Sequence, residues 1–102
     1  MVVAEVSIFP LGTETTSVSD YVAAVRELEA SGLKCTLGPM GTMVEAEAPE
    51  EIYAALAQAQ AAVLDLGAGR AYTVLKMDER RDAQERSAED MMRSVREDRD
   101  AR

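Results

Sequence analysis

From Met1 to Asp78 the hydrophobic period of this sequence switches back and forth between two and about 3.6 residues, and that order of switches leaves few folds open. Met1 to Pro10 alternates. Val2, Ala4, Val6 and Ile8 share one face, and Val3, Glu5, Ser7 and Phe9 share the other. Period two in β-branched residues predicts a strand, which Pro10 ends. Leu11 to Thr16 is a polar loop carrying Gly12 and threonines. Ser17 then opens a helix, three residues ahead of Asp20, in an acidic variant of the capping box. Val18, Tyr21, Val22, Val25 and Leu28 form its apolar stripe. Ser31-Gly32 stops it, with Gly32 suited to the left-handed position past the last turn.

Leu33 to Leu37 alternates again, and Gly38-Pro39-Met40-Gly41 is a turn signal. Thr42 to Ala48 is the next strand, with Val44 and Ala46 on one side and Met43, Glu45 and Glu47 on the other. Pro49 suits the first position of a second helix, and Glu50 and Glu51 complement its dipole. Ile52, Leu56, Ala59, Val63 and Leu66 form the second stripe, closed by Gly67-Ala68-Gly69. Ala71 to Asp78 alternates as a fourth strand. Strand, helix, strand, strand, helix, strand is the split βαβ plan. It predicts an α+β, ferredoxin-like domain (βαββαβ) with a four-stranded antiparallel sheet and both helices on one face. We place that domain at residues 1–82. Residues 83–102 are a charged segment in which Met91, Met92 and Val95 give a helical stripe. It is either a C-terminal helix that packs on a neighbouring subunit or a solvated tail.

Composition narrows the chemistry. A chain of 102 residues fits one domain. It has no His and no Trp, which excludes His-based zinc sites and Ser-His-Asp triads. Cys35 is the lone cysteine, so no intrachain disulfide forms, and its alternation with Leu33 and Leu37 marks it as a core residue. The net charge is −8, and Met1 to Asp78 holds eleven acids against four bases. Such a body argues against nucleic acid as a partner. It favours a cationic small molecule or serves solubility alone. No stretch approaches the ~20 apolar residues of a membrane span, so no membrane partner is expected. With one cysteine and no basic leader before Val2, the expected location is the cytoplasm.

The sheet face away from the helices carries Glu5, Ser7, Phe9, Met43, Glu45, Glu47, Tyr72, Val74 and Lys76. Charges beside apolar groups suggest a subunit interface enclosing a charge pair, or one that also lines a ligand pocket. Glycoside hydrolysis by paired carboxylates is disfavoured, because no Trp is present to stack a sugar and Lys76 can neutralise one acid. Glu5, Glu45, Glu47 and Asp78 are candidates for a hard cation, but no ligand spacing supports one. The glycines at 38, 41, 67 and 69 make no phosphate-binding fingerprint. Lys76 is expected to pair with Glu5 across the first and fourth strands, leaving Glu45 unpaired and available to a ligand. The loop from Pro10 to Ser17 leads hydroxyls to a helix start, a place for polar recognition or for ordinary capping.

Three blocks, Ser7-Ile8-Phe9-Pro10-Leu11-Gly12-Thr13, Met40-Gly41-Thr42-Met43-Val44-Glu45-Ala46 and Tyr72 through Asp82, resemble the signature segments of the small thiamine-binding protein family. The resemblance runs from Met1 to about Arg86. It implies a ferredoxin-like homotetramer that binds thiamine or its hydroxymethylpyrimidine moiety without catalysis and without a cofactor. By position, Pro10, Gly12, Thr13 and Ser17 would form the pocket wall after the first strand. Met40, Gly41 and Thr42 would supply a close backbone approach and a hydroxyl, and Glu45 would face the ligand. The alternative is a structural or regulatory oligomerisation module with no small-molecule ligand.

Overall fold

The computed structural model describes residues 1–12, 18–82 and 87–101. It contains β1 (Val2–Leu11), α1 (Val18–Ala30), β2 (Lys34–Leu37), β3 (Thr42–Ala46), α2 (Pro49–Asp65), β4 (Arg70–Glu79) and α3 (Ala88–Ala101). The strands form one antiparallel sheet in the order β2-β3-β1-β4, which is the ferredoxin-like arrangement expected from the alternating periods. The Ser17–Asp20 capping box lies outside the residues whose side chains are described.

One face of the sheet is closed by α1 and α2. Val2, Ala4, Val6 and Ile8 of β1 and Val44 and Ala46 of β3 point into this layer. They meet Ala24 and Leu28 of α1 and Ile52, Ala55, Ala59 and Val63 of α2. The second helical stripe differs from expectation at its end. Ala55 is buried, whereas Leu66 caps the helix outside it and is exposed. Small residues at 55 and 59 let α2 approach the sheet closely. β3 stops at Ala46, two residues short of the expected strand. The reason is local: the Glu51 carboxylate accepts the backbone N–H groups of Glu47 (3.1 Å) and Ala48 (3.2 Å), so those donors serve the start of α2.

The register of β1 positions everything else. It pairs with β4 over all ten residues, Val2↔Glu79 to Leu11↔Arg70, but with β3 only from Val2↔Ala46 to Val6↔Thr42. The half of β1 beyond Val6 therefore runs past the end of β3. Glu5 and Lys76 are cross-strand neighbours, but the expected ion pair between them is not formed, and Glu45 lies opposite Val3 and not beside Glu5.

The C-terminal segment is helical. Ser87 and Asp90 make a reciprocal cap: the Ser87 hydroxyl accepts the Asp90 N–H (3.0 Å) and the Asp90 carboxylate accepts the Ser87 N–H (3.1 Å). None of its described residues is buried, and Met92 and Val95 are exposed. Among the described residues no helix is long and apolar enough to cross a membrane.

Candidate functional site

Where β1 outruns β3, a cavity of about 330 Å3 opens. Its walls come from three directions. Val6, Ser7, Ile8 and Phe9 of β1 form the floor, and Ala24, Val25 and Leu28 of α1 form one side. Leu37 and Thr42, with the connecting Gly38-Pro39-Met40-Gly41 turn, form the other. None of the described lining residues is charged. Leu37 and Met40 stand at the mouth as exposed apolar side chains, Met40 at 81%.

The turn is held in place by two contacts. The Gly38 N–H donates to the Gly41 carbonyl oxygen at 2.9 Å and closes the turn on itself. The Ser7 hydroxyl donates to the Met40 carbonyl oxygen at 2.8 Å and ties the turn to β1. Gly41 has no room for a side chain: a Cβ there would sit 2.8 Å from Ser7 Oγ, 3.0 Å from Glu5 Cγ and 3.1 Å from the Val6 carbonyl oxygen. The glycine is the condition for the turn to lie flat against β1.

The structure brings Met40, Gly41 and Thr42 together at this cavity. Pro10 is buried on β1 and Gly12 lies just past its end with φ +85°, a left-handed conformation; neither lines the cavity. Thr13 and Ser17 lie outside the described residues. Sequence reasoning did not single out Ser7 as the clamp on Met40, nor the α1 wall of Ala24, Val25 and Leu28. Val25 and Leu28 belong to the apolar stripe of α1, where period alone does not separate a core position from a cavity wall, and Ala24 lies outside the stripe that the sequence marked.

Glu45 is elsewhere. It is 7% exposed and lies near the far end of β3, where a second cavity of about 330 Å3 is bordered by Met1, Lys34, Glu47, Glu51 and Ser87. The expectation that its carboxylate is unpaired does not hold. Glu45 Oε1 accepts the Ala88 N–H at 2.9 Å, at the first turn of α3, and Oε2 lies 3.6 Å from Lys34 Nζ. A carboxylate at a helix N-terminus is stabilised by the partial positive charge there. Glu45 is thus the tether of α3 and is removed from the apolar cavity.

Cys35 is half-buried, with its thiol 3.3 Å from the Leu28 carbonyl oxygen, to which it donates. Burial first, and the Glu29 carboxylate second, push the thiol pKa up, which disfavours the reactive thiolate. Among the described residues no three His, Cys, Asp or Glu side chains converge as metal ligands.

Comparison with known proteins adds the family. The thiamine-binding protein family matches residues 4–96. The chain belongs to that family. An UPF0045 protein of Methanothermobacter thermautotrophicus is 45% identical over 98 residues, covering 95% of this chain and 98% of its own. The UPF0045 protein YqgV of Bacillus subtilis is 39% identical over 87 residues, covering 80% and 83%. Among solved structures, the hypothetical protein MJ1052 of Methanocaldococcus jannaschii superposes with a TM-score of 0.83 at 34% identity, covering 94% of this chain and 96% of that one. Membership in the thiamine-binding protein family and the ferredoxin-like sheet thus agree with the resemblance carried by the three sequence blocks.

Proposed function

We propose that this protein binds thiamine, or its hydroxymethylpyrimidine half, in the apolar cavity between β1, α1 and the β2–β3 turn, and does no chemistry on it. The observation that carries the reading is the cavity's wall: apolar and without a charged side chain among its described residues, in a chain of the thiamine-binding protein family. A flat aminopyrimidine needs such a slot with a few polar groups at its edge. The Ser7 and Thr42 hydroxyls and the main chain of the Gly38–Gly41 turn can provide them. The volume falls near the lower end of small-molecule sites, which suits one heteroaromatic ring. The net charge of −8 favours approach of the cationic thiazolium.

The reading is non-enzymatic because the chain has no His and its one thiol is directed at a main-chain carbonyl. We place the protein in the cytoplasm, on its lone cysteine. Tyr72 (54% exposed) and Val74 (46%) on the uncovered sheet face support assembly, for which we propose a homotetramer built as a dimer of dimers.

Titration calorimetry with thiamine and with hydroxymethylpyrimidine tests the reading. Saturable binding of both, at one site per chain, is expected. Absence of binding in a protein that light scattering shows to be oligomeric would leave assembly as its whole function.

A further inference from the structure

The sheet has two outer edges, and they are built differently. β2 is four residues long and runs into Gly38-Pro39, which is how proteins blunt an edge. β4 is ten residues long, pairs with β1 without a bulge and contains no proline. No strand among the described residues pairs with its outer side. A long regular edge of this kind is a template for another strand.

We propose that the outer edge of β4 pairs antiparallel with β4 of a second copy, about a two-fold axis through Val74. The partner follows from charge. A two-fold axis normal to the sheet keeps the helices of both copies on one side, and it sets residues at equal distances before and after the axis opposite one another. With the axis at Val74, Arg70 faces Asp78 and Tyr72 faces Lys76, each twice, and Val74 faces itself. The three open-face charges within β4, Arg70, Lys76 and Asp78, then each meet an opposite charge or an aromatic ring. Neighbouring registers fail. Centred on Thr73, Arg70 faces Lys76; on Leu75, Arg70 faces Arg80; on Lys76, that ammonium faces its own copy. Centred on Tyr72, Arg70 faces only Val74.

The side chains are available for the pairing. Arg70, Tyr72, Val74, Lys76 and Asp78 are all exposed. Arg70, Lys76 and Asp78 make no ion pair among the described residues. On the helix face the same register sets Ala71 against Met77 and Thr73 against Leu75, with no like charges in contact. The product is a continuous eight-stranded sheet, β2-β3-β1-β4 joined to its mirror order. This names the surface and register of one interface in the assembly proposed above and rests on that assembly, not on the ligand.

Disulfide trapping reads the register directly. In a Cys35→Ala background, Val74→Cys, Tyr72→Cys and Lys76→Cys are each oxidised with copper phenanthroline. Facing Cβ atoms are about 5 Å apart across a pair, so Val74→Cys should be trapped as a covalent dimer. The copies of residue 72, or of 76, are four positions apart along the strands, roughly 13 Å, and should cross-link little. Charge exchange is the second arm. Arg70→Glu alone and Asp78→Arg alone should each weaken dimerisation about tenfold or more. An equimolar mixture of the two should recover it, because both cross-strand pairs are then opposite in sign, and that recovery also shows that each variant is folded. No trapping at residue 74 beyond that at 72 and 76, or single charge variants that assemble like the parent, would overturn the pairing. Light scattering on the parent protein separates the outcomes. A persistent oligomer in those cases leaves the assembly standing through another surface, and a monomer removes both.

Discussion

The two cavities have the same volume, about 330 Å3, and opposite chemistry. They sit toward opposite ends of β3, with Thr42 at one and Glu45 at the other, about 10 Å apart along the strand. The far cavity holds the carboxylates, and on charge alone it would be the first choice for a cationic ligand. Of its three acids among the described residues, Glu45 and Glu51 are already engaged, and the Glu47 carboxylate is not. Glu45 holds the Ala88 N–H and Lys34, and Glu51 holds the N–H groups of Glu47 and Ala48. The near cavity holds no charge among its described residues, but its apolar wall is unfilled. A flat heteroaromatic ring is better matched by an apolar wall than by a ring of carboxylates, and on that ground we propose the near cavity as the ligand site.

The sharpest way to break the comparison is to fill one cavity and cut the other. Gly41→Val drives a side chain against the Val6 carbonyl and Ser7 Oγ, a backbone clash that only movement of the turn relieves. Overpacking of this kind costs about 1–3 kcal/mol, so thiamine affinity should fall between about tenfold and a hundredfold by calorimetry. Unchanged affinity would remove the turn from the site.

Glu45→Ala is the matching cut at the far end. It removes the acceptor for Ala88 N–H, a charge-assisted bond of about 1–3 kcal/mol, while the loss to Lys34 is small because that ammonium is mostly solvated. The expected result is a lower melting temperature and faster amide exchange in the first turn of α3. Thiamine affinity should stay within about twofold, as for sites without shared partners. A large loss of affinity with α3 still protected would return Glu45 to the ligand.

That reversal for Glu45 shows what the sequence can and cannot disclose. Alternation put Glu45 on the face away from the helices, and the structure agrees. Its partners come from Lys34 on the neighbouring edge strand and from Ala88, which lies 43 positions along the chain. Period two fixes a face but is silent on what later covers it. The fold was legible because each local signal agreed with the next: Pro49 at the helix start, Gly32 and Gly67 at positive φ past the helix ends, and β1 apolar on one face. The turn before Thr42 was legible because Gly38-Pro39 marks itself, whereas a ligand role for Met40, Gly41 and Thr42 came only from the family resemblance. The α1 wall was not legible, because a cavity is a property of spacing between elements, which no single segment encodes.

A finer test touches only the clamp. Ser7→Ala deletes the hydrogen bond to the Met40 carbonyl and leaves the apolar wall intact. One such bond is worth about 1 kcal/mol net, so affinity should drop about fivefold, mostly through faster dissociation as the turn loosens. The melting temperature should hardly move, since this hydrogen bond is solvent-exposed. An equal drop in stability and affinity would mean that Ser7 supports the sheet end in general and not the pocket mouth.

The smallest effect is the one that reports on both cavities without altering either. Cys35 pairs with Val44 across β2 and β3, and its thiol donates to the carbonyl of Leu28, a residue of the near cavity's wall. Its pKa is raised by burial and then by Glu29, so alkylation by iodoacetamide at pH 7.5 should be slower than that of a free thiol. The rate should climb only when the pH passes the ordinary thiol range, because the reactive thiolate is the form that burial disfavours. The thiol is held against α1 through the Leu28 carbonyl, so a ligand seated on Leu28 would restrain its access to reagent. Saturating thiamine should therefore slow alkylation severalfold in the parent protein, by roughly the factor that the bound fraction dictates. Glu45→Ala should leave that protection unchanged, because it loosens α3 and not α1. Protection that vanishes in Glu45→Ala but survives in Gly41→Val would place the ligand at the far cavity and invert the comparison.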